Sequence, residues 1–119
     1  MTDNKTLIRH IVEAVREKKG KNVCLVDMSG LGSSVCDCFV ICEGNSNTQI
    51  NALADNVYEY LREHDRTKPF GIEGERNALW VAMDYGDVMV HIFDRNTRRF
   101  YDLEHLWSDA EVTTLPDED

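Results

Sequence analysis

The chain has 119 residues, 42% of them hydrophobic and 29% charged, with a formal net charge of −9. That length is one domain, large enough to bury a core without disulfide or metal staples. The acidic balance argues against a protein that grips nucleic acid by neutralising phosphates, and suits a basic protein partner.

In chain order, Leu7, Ile8, Ile11, Val12 and Val15 recur at helical spacing, and Gly20 follows Lys18 and Lys19 as a stop signal. The spacing predicts a first helix from Lys5 to Lys19. The β-branched run Val23–Met28 predicts a strand, and the Gly/Ser-rich stretch Ser29–Ser34 a loop. Cys36–Cys42 is apolar at alternate positions of both parities, as a central strand covered on both faces must be. Asn45 or Ser46 then caps a second helix, whose stripe Ile50, Leu53, Ala54, Val57, Leu61 runs to about Glu63. Pro69 and Gly71 forbid its continuation.

Leu79–Met83 and Val88–Phe93 read as two strands joined by the turn DYGD, with Gly86 free to take a positive φ. On the second of them Val88, Val90 and Ile92 face one way, and Met89, His91 and Phe93 the other. Residues 95–102, RNTRRFYD, read as a cationic connector, and Asp102–Ala110 as a short helix. The end of the chain, from residue 109, carries Asp109, Glu111, Asp117, Glu118 and Asp119 without a Lys or Arg. Residues 111–119 are therefore expected to be a disordered acidic tail behind a single domain of residues 1–110. The order of elements predicts an α/β sandwich with a mixed sheet of about four to five strands and flanking helices. With no membrane-length apolar run and no signal-peptide h-region near residue 1, the chain is expected in the cytoplasm.

Four stretches could carry chemistry. Cys24, Cys36, Cys38 and Cys42 lie close in sequence, but the C-x-C spacing of Cys36 and Cys38 inside a strand aims both at one face. Small core thiols account for them better than a zinc site does. Gly44–Ser46 sits between a strand and a helix start, where a nucleotidyltransferase would hold a phosphate, yet no D-x-D pair follows to hold magnesium. Asp84 and Asp87 belong to a turn, where Asp is favoured for its own sake. His91 has no nucleophile and no orienting partner near it in sequence, so acid–base work is unsupported. The fourth stretch is the hairpin Trp80–Asp94, apolar on both faces, with Trp80 and Tyr85 as the residue types that anchor protein interfaces. One face must cover the core, and the other carries either a helical layer or a docked partner, so Trp80 is either an interface anchor or a core residue. No cofactor is expected.

At these residues the chain resembles the ribosomal silencing factor, or Iojap, family. The similarity runs from about Val23 to Ala110. It is carried by DxxGL (Asp27–Leu31), DCFVICEGNSNTQINALADNV (Asp37–Val57), GIEG (Gly71–Gly74), WxxxDYGDVxVHIF (Trp80–Phe93) and RxFYDLEHLWSDA (Arg98–Ala110). The resemblance implies a nucleotidyltransferase-like fold without catalytic carboxylates, and no enzyme activity. It implies binding to the large ribosomal subunit through the fourteenth protein of that subunit, blocked joining of the small subunit, lowered translation under nutrient limitation, and a homodimer when free. Carried over by position, it puts the ribosome-facing surface on Trp80, Tyr85, Gly86, Asp87 and Val88, with His91 added. Minor contact with ribosomal RNA would fall to Arg95, Arg98 and Arg99. The alternatives are a nucleotide-binding enzyme using Gly44–Ser46 and an adaptor for an unrelated basic partner.

Overall fold

Helix α1 (Asn4–Glu17) forms where the apolar stripe predicts it, burying Leu7, Ile11, Val12, Ala14 and Val15. Asp3 caps it by accepting the Thr6 N–H at 2.8 Å. Helix α2 (Asn47–Asp65) buries Ile50, Leu53, Ala54, Val57 and Leu61, and the Ser46 hydroxyl accepts the Gln49 N–H at 3.1 Å. The computed structural model from which these elements are taken describes residues 3–31, 36–106 and 109–117.

Six strands make one sheet. They are β1 (Lys21–Asp27), β2 (Cys38–Gly44), β3 (Gly71–Glu73), β4 (Trp80–Asp84), β5 (Val88–Asp94) and β6 (Glu111–Thr114), in the spatial order β3-β4-β5-β2-β1-β6. Only the central pair, β2 with β5, is parallel; every other neighbour is antiparallel. The sheet is thus mixed, as expected. Burial of β2 on both faces also follows the expectation for a central strand.

The two faces differ. On one lie α1 and α2, packed over Val23, Val40, Val81, Met83, Val90 and Ile92. On the other a smaller cluster of Cys24, Val26, Met28, Phe39, Ile41 and Phe93 is closed by Leu103. Val88, Val90 and Ile92 therefore share the helix side, while Phe93 and Met89 share the second.

Several expectations need correction. The sheet has one strand more than the upper expectation, because two short edge strands carry almost no buried apolar residue: β3 holds only half-buried Ile72, and all four residues of β6 are exposed. The expected disordered tail is therefore ordered at its start. Glu111–Thr114 pairs antiparallel with β1, aligning Val112 with Val26 and Thr113 with Leu25. Two β-branched threonines and Val112 suit a strand, and the acidic composition around them hides it. The cationic connector is helix α3 (Arg95–Tyr101), capped by Asp94. The helix expected over 102–110 shrinks to a 3₁₀ turn, Leu103–His105, and its residues 107 and 108 lie outside the described residues, as do residues 32–35 of the expected loop. Cys36 and Cys38 do not share a face. Cys36 precedes β2 and packs in the second cluster, while Cys38 packs under the helices.

Candidate functional site

The hairpin of β4 and β5 sets Trp80 opposite Phe93, Ala82 opposite His91, and Asp84 opposite Met89. Cross-strand partners share a face, so these six residues form one stripe on the side of the sheet away from α1 and α2. Trp80 stacks on buried Phe93, with ring centroids 4.9 Å apart. Its indole N–H donates to His91 Nδ1 at 3.0 Å. Because indole is only a donor, Nδ1 must accept, and the imidazole proton sits on Nε2. His91 is buried beneath this lid, edge-on to Phe39 at 4.5 Å, and its Nε2 is buried without a partner among the described residues. Burial lowers its pKa to about 4, so the ring is neutral near pH 7.

Trp80, Ala82, Asp84 and Met89 remain half-buried, so part of this stripe is open. Tyr101 of α3 meets Trp80 with centroids 4.7 Å apart, and Phe100 meets Tyr101 at 5.1 Å. Phe100 is 80% exposed and Tyr101 48%. The aromatic surface therefore continues from Trp80 onto α3. Sequence reasoning missed Met89, Phe100 and Tyr101 as candidates. Phe100 and Tyr101 sit in a stretch whose composition reads as a cationic connector, and parity alone does not show that the face of β5 with Met89 lies partly open.

The structure does not bring all the expected site residues together. Trp80 lies at the opposite end of the hairpin from the turn Tyr85-Gly86-Asp87, since Asp84 and Met89 close the ladder there. The Tyr85 side chain is 7% exposed and belongs to the helix-side core, and burial pushes its phenol pKa up. It therefore fails as an exposed anchor on the face of Trp80. Val88 is wholly buried on that same helix side. Gly86 and Asp87 are exposed. Gly86 takes φ +89°, and its N–H is held by the Asp84 carboxylate at 2.8 Å. The Asp87 carbonyl accepts the N–H groups of Asp37 and Cys38 at 2.8 and 3.1 Å. The Asp84 carboxylate thus holds the turn, and the Asp87 main chain ties it to the start of β2.

Arg98 also departs from its expected role. Its guanidinium reaches the Asn22 carbonyl at 2.5 Å, Glu43 at 3.1 Å and Glu104 at 2.8 Å, with its side chain 11% exposed. Burial opposes its charge, but Glu104 and Glu43 outweigh that and raise its pKa. It is an internal ion pair rather than a surface contact, whereas Arg95 and Arg99 stay exposed.

At the Gly44–Ser46 turn the local donors are already in use. Asn45 N–H donates to the Gln49 side chain at 2.6 Å, and Ser46 takes the Gln49 N–H. Among the described residues no group of three or more His, Cys, Asp or Glu is placed to hold a metal ion. The four cysteines are buried thiols. Burial drives the pKa of Cys24 up to about 11 and those of Cys38 and Cys42 to about 12, which suits packing and not nucleophilic attack. No helix of the described residues is long and apolar enough to cross a membrane.

Comparison with known proteins identifies the family of the chain. The family profile described as "Ribosomal silencing factor during starvation" matches residues 1–119. The chain is 38% identical over 112 residues to a ribosomal silencing factor of Halalkalibacterium halodurans, covering 94% of each protein. A more distant relative from Mus musculus, "Mitochondrial assembly of ribosomal large subunit protein 1", is 28% identical over 82% of this chain and 43% of that protein. A crystal structure of a protein from Chromobacterium violaceum superposes with a TM-score of 0.84 at 30% identity, over 99% of this chain and 98% of that one. A profile match over the whole length, on a fold shared in full with a solved relative, places the chain in the ribosomal silencing factor family.

Proposed function

We propose that this chain silences ribosomes by docking on the large subunit through the open half of its sheet. The partner is the fourteenth large-subunit protein, and the bound factor occupies space that the small subunit needs, so joining fails and translation falls under nutrient limitation. The observation that carries this reading is the aromatic surface Trp80–Tyr101–Phe100 beside Met89, partly open on the face of the sheet away from α1 and α2. Aromatic residues of this kind are the usual anchors of protein interfaces.

Within this reading Trp80 is the anchor and His91 positions it through the indole hydrogen bond. Gly86 and Asp87 present the exposed turn at the rim, and Tyr85 and Val88 hold that turn from beneath. Arg95 and Arg99 supply the minor contact with ribosomal RNA. The net charge of −9 favours a basic ribosomal protein as the main partner. The protein acts by occupancy and needs no turnover or cofactor. When free it pairs as a homodimer, and it works in the cytoplasm. The name of the mouse relative, which refers to assembly of a ribosomal large subunit, supports the choice of subunit.

The test is co-sedimentation with separated ribosomal subunits. The wild type is expected to travel with the large subunit alone. Phe100→Ala, which removes an exposed ring, and Trp80→Ala should each weaken binding by at least about thirtyfold, the loss typical of a hot-spot truncation. Retained binding in both variants would move the interface off this face; no binding of the wild type to either subunit would overturn the reading.

A further inference from the structure

The opposite edge of the sheet, remote from the β4–β5 hairpin in the order β3-β4-β5-β2-β1-β6, ends in β6, whose four residues are exposed and which pairs with no further strand among the described residues. The Leu115 N–H donates to the Val23 carbonyl at 2.9 Å, and Cys24 through Asp27 align without a bulge against Thr114 through Glu111. In an antiparallel ladder, inward-bonded residues alternate with outward-pointing ones. Counting from Leu115, Thr113 and Glu111 bond toward β1, so the N–H and C=O groups of Val112 and Thr114 point away from the sheet. Edges of this kind accept a further strand, and proteins that avoid this place Lys or Pro on them. Here the four strand residues include neither.

The chemistry beside the edge is specific. On the α1 side a cavity of about 300 Å³ opens against β6. Ile8, Leu25 and Cys38 give it an apolar floor, and Asp27, Asp37 and Glu111 set three carboxylates around it against one cation, Lys5. Asp27 and Glu111 also line a second depression, with Asp109 and Leu31. A second copy of this chain would bring the same acidic edge, on a molecule of charge −9, against itself.

We infer that β6 is a docking edge for a basic, extended segment of another protein, which adds as a strand along Val112 and Thr114 and places Lys or Arg side chains among Asp27, Asp37 and Glu111. Backbone pairing supplies the affinity, and the carboxylates select the sign of charge. This edge is separate from the Trp80 surface, so both can be occupied at once.

The experiment uses the full chain and a fluorescein-labelled, seven-residue peptide of alternating Lys and Val. Anisotropy should show saturable binding, with backbone amide shifts centred on Val112 and Thr114. Val112→Pro leaves every charge in place and removes an outward N–H without removing a ladder bond to β1, a place where an edge strand tolerates proline; it should weaken binding at least tenfold. Should that variant unfold, an N-methylated peptide makes the same test on the unaltered protein, again with a tenfold loss expected. Replacing the peptide lysines with Glu should abolish binding, and Asp27→Asn with Glu111→Gln should weaken it severalfold. Equal binding by the Glu peptide, or by the N-methylated one, would overturn the inference. So would concentration-dependent dimerisation of the chain alone that Val112→Pro removes, because the edge would then belong to a second copy.

Discussion

His91 and Arg98 show two ways of burying a titratable side chain. His91 is kept neutral, and its pKa falls from 6.5 to about 4 because burial disfavours the charged ring. The unfolded chain therefore binds a proton that the folded chain refuses. This contribution to stability is complete above about pH 6.5 and is lost as pH falls toward 4, with a total on the order of 3 kcal/mol. Urea unfolding between pH 7 and pH 4 should show that decline, and His91→Phe should flatten it. Arg98 is instead kept charged, fixed between Glu43 and Glu104. Arg98→Ala would strand both carboxylates in a partly dry site and should cost about 3–5 kcal/mol in chemical denaturation. Arg98→Lys should not restore the loss, since an ammonium cannot span the Asn22 carbonyl and both glutamates.

At the scale of elements, legibility followed burial. Helices α1 and α2 and strands β1, β2, β4 and β5 each bury a patterned face, so periodicity located them. Helix α3 buries no residue and β6 exposes every one, so nothing periodic marked either. Parity on β5 correctly grouped Met89, His91 and Phe93. It could not say which group lay open, because that depends on where α1 and α2 come to rest. The same gap misplaced Tyr85, whose turn position suggested exposure although its ring packs under the helices. Strand β6 makes a sharp prediction here. A chain cut after Ala110 loses the ladder to β1 and the Arg16 bond to the Pro116 carbonyl. At about 1 kcal/mol for each net hydrogen bond, the cut chain should be less stable by roughly 2–4 kcal/mol, seen as a lowered denaturation midpoint. A truly disordered tail would leave the midpoint unchanged.

For the molecule as a whole, charge and surface point the same way. A body of net charge −9 approaching a basic protein gains in encounter rate from long-range attraction, which salt screens. On the proposed docking mode, association with the large subunit should therefore slow by about tenfold between 50 and 200 mM salt, while the dissociation rate should change little. Stopped-flow measurement of the two rates separates these effects. A salt response confined to dissociation would contradict electrostatic steering.

The strand order has a consequence for the timing of synthesis. Strand β1 is made early, yet its outer neighbour β6 is made after β2, α2, the hairpin and α3. Until β6 is made, β1 lacks the outer neighbour that flanks Leu25 in the finished sheet. The folded sheet thus exchanges one open edge for another during its own translation. The edge open first is apolar, and the one that replaces it is polar and acidic. A partner or chaperone that recognises β1 would meet this protein only while it is being made.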